Sequence, residues 1–121
     1  MLRQDTIASL ITPWGVSGVG IIRISGPESL AIARRIFRPS SGGCSWKSHH
    51  LYHGDILSLD GNAVLDEALI AFMPHPHSFT GEDVIEINCH GNPLILQSVL
   101  DLLLQLGCRM ARPGEFSERA F

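Results

Sequence analysis

His77-Ser-Phe-Thr-Gly-Glu-Asp-Val-Ile-Glu-Ile-Asn-Cys-His-Gly-Asn-Pro93 decides how this chain folds, because it joins a turn, an alternating strand and the start of a helix. Side chains alternate across a strand, so Glu86, Asn88 and His90 share one face while Ile85, Ile87 and Cys89 share the other. The apolar face is expected to look into the core, which leaves the polar face for a ligand, a partner or water. Together with Glu82 and Asp83, these polar groups between Gly81 and Gly91 are expected to line the mouth of a pocket.

Beyond Pro93, Leu94, Leu96, Val99, Leu100, Leu102, Leu103, Leu104 and Leu106 predict a strongly apolar helix over Pro93 to Leu106, stopped by Gly107. Only Gln97, Ser98, Asp101 and Gln105 are left for water, so this helix needs cover on more than one side, from a sheet and from a second subunit. Upstream, Pro74-His-Pro-His77 reads as a stiff loop. Two antiparallel strands, His49 to Leu59 and Val64 to Phe72, are expected to meet at an Asp60-Gly61 hairpin. Pro39 to Ser45 reads as an exposed, insertion-tolerant loop, rich in Ser and Gly. Glu28 to Phe37 has helical spacing with Pro27 in its first turn, and Arg34, Arg35 and Arg38 gather at its C-terminal end, where cations offset the helix dipole. Thr6 to Thr12 and Val19 to Ser25 read as strands on either side of a glycine-rich turn. That turn lacks the Lys-Ser/Thr of a phosphate loop and leads into a strand, so it is not read as a nucleotide site. Ser117 is expected to cap a further helix that is only beginning at Phe121, as in a segment of a longer protein.

A chain of 121 residues, 45% hydrophobic and 17% charged, fits one domain spanning residues 1–121. Nine Lys and Arg against twelve Asp and Glu give a formal net charge of −3, without the basic footprint that grips nucleic acid by its phosphates. Strong direct binding of nucleic acid by this domain is therefore not expected. Cys44, Cys89 and Cys108 are odd in number and lack paired zinc spacing, which points to reduced thiols in the cytoplasm. Arg3, Gln4, Asp5 and Thr6 interrupt the amino terminus, so no signal peptide is read there, and no apolar run approaches a membrane span.

Arg23 stands alone in an apolar strand. It is either an edge-strand arginine that snorkels to water or a cation placed for a ligand carboxylate or carbonyl. His49, His50 and His53 are expected on opposite strand faces without a convergent carboxylate, and the prolines beside His75 and His77 force an extended path, with nothing in the sequence that makes these two converge with Cys89 and His90. No metal site is assigned to either group. Cys89 and His90, adjacent on a strand, face opposite ways and cannot act as nucleophile and base for each other.

Asp5-Thr6-Ile7, Gly18-Val-Gly-Ile-Ile-Arg-Ile-Ser-Gly26, Ser78-Phe-Thr-Gly-Glu-Asp-Val-Ile-Glu86, Cys89-His90-Gly91 and Ala111-Arg-Pro-Gly-Glu-Phe-Ser-Glu-Arg-Ala-Phe121, in this order, resemble the N-terminal domain of the MnmE (TrmE) family of tRNA modification GTPases. Trp14, Val16-Ser17 and Asn92 depart from the family's usual turn residues. The resemblance implies an α+β fold like half of the aminomethyltransferase folate-binding domain. Such a fold has a mixed, mostly antiparallel sheet, two main helices and a first strand exchanged in a homodimer. It also implies binding of a tetrahydrofolate one-carbon donor resembling 5-formyl-tetrahydrofolate, with Arg23 and Glu86 as the contacts and a lysine beyond Phe121 as a third. GTP, Mg and K are implied only for a GTPase domain outside this chain, and the flavoprotein MnmG and tRNA as partners of the parent protein. Catalysis is not expected of this domain alone. A one-carbon transferase active by itself and a purely structural dimerisation module are the other two readings.

Overall fold

Three structural decisions made by the apolar pattern build the domain: which face of each strand is buried, where the helices cross, and what closes the sheet's edges. The computed structural model describes residues 5–120. Arg3, Gln4 and Phe121 of the sequence reading lie outside the described residues. The strands are β1 (Ile7–Leu10), β2 (Ser17–Ser25), β3 (Phe37–Pro39), β4 (Leu51–Leu57), β5 (Val64–Met73), β6 (Val84–Gly91) and β7 (Arg109–Met110). The helices are α1 (Ser29–Ile36), α2 (Pro93–Gln105) and α3 (Glu115–Ala120). They form an α+β fold around one mixed sheet of order β3-β4-β5-β6-β2-β1-β7, in which β1 and β7 run parallel and all other neighbours are antiparallel. Here β1 pairs with β2 of its own chain, Ile7 opposite Ser25 and Leu10 opposite Ile22.

β6 is the middle strand, and its alternation is the one read from the sequence. Ile85 and Ile87 are fully buried, opposite Ile24 and Ile22 of β2 on one side and Phe72 and Ile70 of β5 on the other. This row faces α1 and α2, whose Ile32, Ala33, Ile36, Leu96, Val99, Leu100 and Leu103 complete the core. The opposite face carries Ser9, Arg23, Glu86 and Ala71 as successive cross-strand partners from β1 to β5. The loop before β6 and α3 bear on that face. The long helix is capped by Asn92, whose Oδ1 accepts from the Leu94 and Ile95 amides with Pro93 in its first turn. Gly107, at φ 103°, provides the left-handed residue that ends it. Its outer side is mixed: Leu94 is 80% exposed, beside the exposed Gln97, Ser98, Asp101, Leu104 and Gln105, while the remaining leucines pack within the chain.

Several boundaries differ from the sequence reading for definable reasons. His49 and His50 precede β4 and do not share its alternation, since His49 takes a positive φ of 61°. Arg38 belongs to β3, where it pairs with Asp55 across the ladder at 2.9 Å, and only Arg34 and Arg35 occupy the last turn of α1. Pro27 lies before the helix, whose N-cap is Glu28. α3 starts at Glu115, so Ser117 is inside it and is not its cap. Arg23 is not at an edge, because β1 and β7 continue the sheet beyond β2. The true edges are the three-residue β3 and the two-residue β7, short enough to offer little template to another strand.

Gly54 of β4 shows how tightly the β3 edge is closed. A Cβ there would stand 2.3 Å from the Arg38 carbonyl oxygen and 2.7 Å from the Phe37 ring. Backbone cannot yield as a flexible side chain would, so Gly54→Ala is expected to destabilise the fold by about 1–3 kcal/mol. Thermal unfolding reads this directly, and an unchanged midpoint would mean that β3 is free to move.

Candidate functional site

The strand register that buries Ile22 and Ile87 on one face sets Arg23 of β2 directly opposite Glu86 of β6 on the other. Arg23 Nε donates to Glu86 Oε2 at 2.9 Å, and Nη2 lies 2.8 Å from the same oxygen. Their side chains are only 16% and 26% exposed. Glu86 Oε1 accepts no hydrogen bond from any described residue and remains available to an outside donor. The guanidinium carbon lies over two rings, 4.8 Å from the centroid of Phe79 and 5.3 Å from that of Phe116. An arginine held by a carboxylate and two aromatic faces has little rotamer freedom left, and its planar charge suits both partners.

The pair stands between two shallow recesses on the same face. One, of about 240 Å³, is lined by Ser9, Ile11, Pro113 and Phe116; the other, of about 260 Å³, by Val19, Leu69, Asn88 and His90. A larger cleft of about 430 Å³, lined by Thr6, Glu28, Ile32, Arg35 and Leu106, borders the helices and not the Arg23–Glu86 pair. The Glu86 oxygen that accepts from no described residue can take an N–H donor from outside the chain. Charge-assisted bonds of this kind are stronger than neutral ones and more demanding in direction.

Glu82, expected at the pocket mouth, is engaged in holding the loop. It accepts from Ser25 Oγ at 2.9 Å and from Arg119 Nη1 at 3.0 Å. Arg119 is almost fully buried and also donates from Nη2 to Asp5 Oδ1 at 2.6 Å. Glu115, 3% exposed, accepts from Arg109 Nη1 at 3.1 Å and Nη2 at 2.5 Å, and from the Arg112 amide at 2.8 Å. These bonds, the Arg109 guanidinium above all, hold the Glu115 carboxyl down at about 2. Asp5 is held at about 2 by Arg109 and then Arg119. Asp83 accepts from the His75 amide at 2.8 Å and so stiffens the same loop.

The structure does not bring the histidines together as one site. His90 Nδ1 meets Asp66 Oδ1 at 2.7 Å, and the His90 amide donates to Asp66 Oδ2 at 2.8 Å. This hydrogen bond to a buried carboxylate raises the His90 pKa. His53 lies by Glu67 and Ser40, and His75 Nδ1 meets the Gly81 carbonyl. Cys89 is buried on the core face with its thiol pushed up to about 12 by burial, which suits packing and not nucleophilic attack.

Sequence reasoning singled out Arg23 and Glu86, and the structure joins them. It missed Phe79, Phe116 and Arg119. Glu115 and Arg119 stand four apart on one helix face, a spacing that could have indicated their pairing. Nothing local could have placed the two rings on Arg23, which is 56 residues from Phe79 and 93 from Phe116 in the chain.

Residues 6–121 match the family described as "GTP-binding protein TrmE N-terminus". A tRNA modification GTPase MnmE of Desulfotalea psychrophila is 51% identical over 118 residues, 98% of this chain and 25% of the relative. That of Acetivibrio thermocellus is 49% identical over 121 residues, covering 100% and 26%, and that of Chloroflexus aurantiacus 52% identical over 118 residues, covering 98% and 26%. The chain thus spans about a quarter of the length of these curated relatives. No helix among the described residues is long and apolar enough to cross a membrane. With its sequence matched from residue 6 onward at about half identity, the chain belongs to the TrmE N-terminus family.

Proposed function

We propose that this domain binds a reduced folate, a one-carbon donor of the 5-formyl-tetrahydrofolate kind, and mediates homodimerisation within a longer cytoplasmic GTPase that modifies tRNA. The observation that carries the folate reading is the Arg23–Glu86 pair: a carboxylate held by Arg23 through one oxygen, its second oxygen accepting from no described residue. A pterin presents adjacent N–H donors along one edge, and a fixed carboxylate accepts them without first losing its own freedom. Arg23 supplies the complementary donor for a ligand oxygen. The names printed for the relatives, tRNA modification GTPase MnmE, support the wider assignment. In that assignment GTP is handled by a domain outside this chain, and MnmG and tRNA are partners of the whole protein.

Calorimetric titration of 5-formyl-tetrahydrofolate into the protein tests this reading. Saturable binding with one site per chain is expected; no heat at millimolar ligand would favour the purely structural module. Turnover of the bound folate by this domain alone would instead favour a self-sufficient one-carbon transferase.

Dimerisation is supported by apolar surface that one chain leaves uncovered, including Leu94 on α2 and Trp14, Val16 and Val19 at the β1–β2 turn. In the reading favoured here β1 can be exchanged, since it is four residues long and joined to β2 by residues 11–16. Removing residues 1–12 is expected to give a monomer or an aggregate in sedimentation velocity. A dimer that survives the deletion unchanged would exclude β1 exchange.

A further inference from the structure

Arg23 and Glu86 belong to the sheet, but the rings that fix Arg23 do not. Phe79 lies on the loop between β5 and β6, and Phe116 on α3. α3 is described over Glu115–Ala120. Its anchor is Arg119, whose guanidinium reaches Glu82 at 3.0 Å, Asp5 Oδ1 at 2.6 Å and the Asp5 carbonyl at 3.1 Å. Glu82 lies three residues beyond Phe79 on the same loop and is tied in turn to Ser25 on β2. Arg119 therefore joins the two segments that bear the two rings.

We propose that Phe116 and Arg119 are positioning residues for the Arg23–Glu86 pair, α3 acting as a strap that sets the guanidinium and thereby the direction of the free Glu86 oxygen. This rests on the folate reading for its ligand, but the placement of Arg23 can be measured without one. The ring centroids of Phe79 and Phe116 lie 4.8 and 5.3 Å from the Arg23 guanidinium carbon, and both contacts favour the position in which Nε donates to Glu86 Oε2. Removal of one ring takes away one of these two contacts, eases departure of the guanidinium from the carboxylate, and restores to Glu86 rotamers that ligand binding must then freeze. Without the Arg119 contacts α3 keeps the Glu115–Arg109 bonds but loses those that join it to Asp5 and to the loop bearing Phe79.

Phe116→Leu keeps an apolar side chain at that position and leaves the ionic anchor intact. Arg119→Met removes the anchor, and Arg119→Lys restores the charge without the planar fork. The first readout is the Arg23 Hε resonance by ¹H–¹⁵N NMR. In the wild-type protein ring currents from the two aromatic rings are expected to shift it upfield. It is expected to move toward the free-arginine position in Phe116→Leu and in Arg119→Met, with partial return in Arg119→Lys. The second readout is affinity for 5-formyl-tetrahydrofolate, expected to fall about fivefold in Phe116→Leu, the scale of one partly desolvated cation–π contact. An Arg23 Hε resonance unmoved in Phe116→Leu overturns the proposal, and that variant decides it even where Arg119→Met does not fold. Wild-type protein without folate affinity would overturn the folate reading instead, and the NMR shift alone would then decide the positioning.

Discussion

Glu86→Gln is expected to weaken 5-formyl-tetrahydrofolate binding by about 2–4 kcal/mol, roughly 30- to 1,000-fold in affinity. In the wild-type protein Oε2 accepts from Arg23 Nε and Nη2, and Oε1 has no partner among the described residues. Glutamine has one oxygen for these two tasks. If it stays with Arg23, an NH₂ group meets the ligand's N–H donors; if it turns, the NH₂ group meets the guanidinium. Each arrangement sets donor against donor, so the loss exceeds that of one neutral hydrogen bond. Stability is expected to fall by about 1 kcal/mol or less, because the pair is partly solvated and Phe79 and Phe116 continue to cover Arg23. Ile85 and Ile87 on the core face are untouched. Calorimetric titration with thermal melts as the folding control separates the two effects. Equal affinities would show that Glu86 does not read the pterin.

The face that holds this pair was legible because strand periodicity is local. Ile85 and Ile87 inward with Glu86 and Asn88 outward follows from alternation alone, as does the reach of α2 from its leucines and the turn at Asp60-Gly61. What alternation does not contain is the order of strands. Arg23 could be read as an edge residue only because nothing near it in sequence reveals that β1 folds back beside β2 and β7 beside β1. β3 and β7 have too few residues for a periodic signal, and each exists through its partner: Phe37 to Pro39 through β4, Arg109 and Met110 through β1. The start of α3 was misplaced for a related reason. Ser117 offers a cap by residue type, but Glu115 accepts the Arg112 amide and is fixed by Arg109, and these bonds set the first turn two residues earlier. Arg119 draws its partner Asp5 from the other end of the chain, a separation no motif spans.

Glu115→Gln is expected to cost about 3–5 kcal/mol at pH 7, the scale of removing one member from a buried ion pair. Its carboxylate is 3% exposed and faces Arg109 at 2.5 Å and Arg119 at 3.4 Å, so the amide would leave guanidinium donors against a group with half the acceptor capacity and no charge. Because a domain of this size is stable by only about 5–15 kcal/mol, the variant is expected to melt at a much lower temperature. The pH dependence gives the loss its specific cause. The Glu115 pKa is lowered from 4.5 to about 2 by Arg109 first of all, so its folded form binds protons less readily than its unfolded form. Such a group contributes fully above pH 4.5 and loses its contribution as the pH falls toward 2. Asp5, lowered from 3.8 to about 2, acts in the same direction but is half exposed and is screened by solvent. Wild-type melting temperature should therefore fall steeply between pH 4.5 and 2, and the difference from Glu115→Gln, large at pH 7, should narrow over that interval. Melting curves for the two proteins that stay parallel down to pH 2 would show that the Glu115 charge does not hold α3 in place.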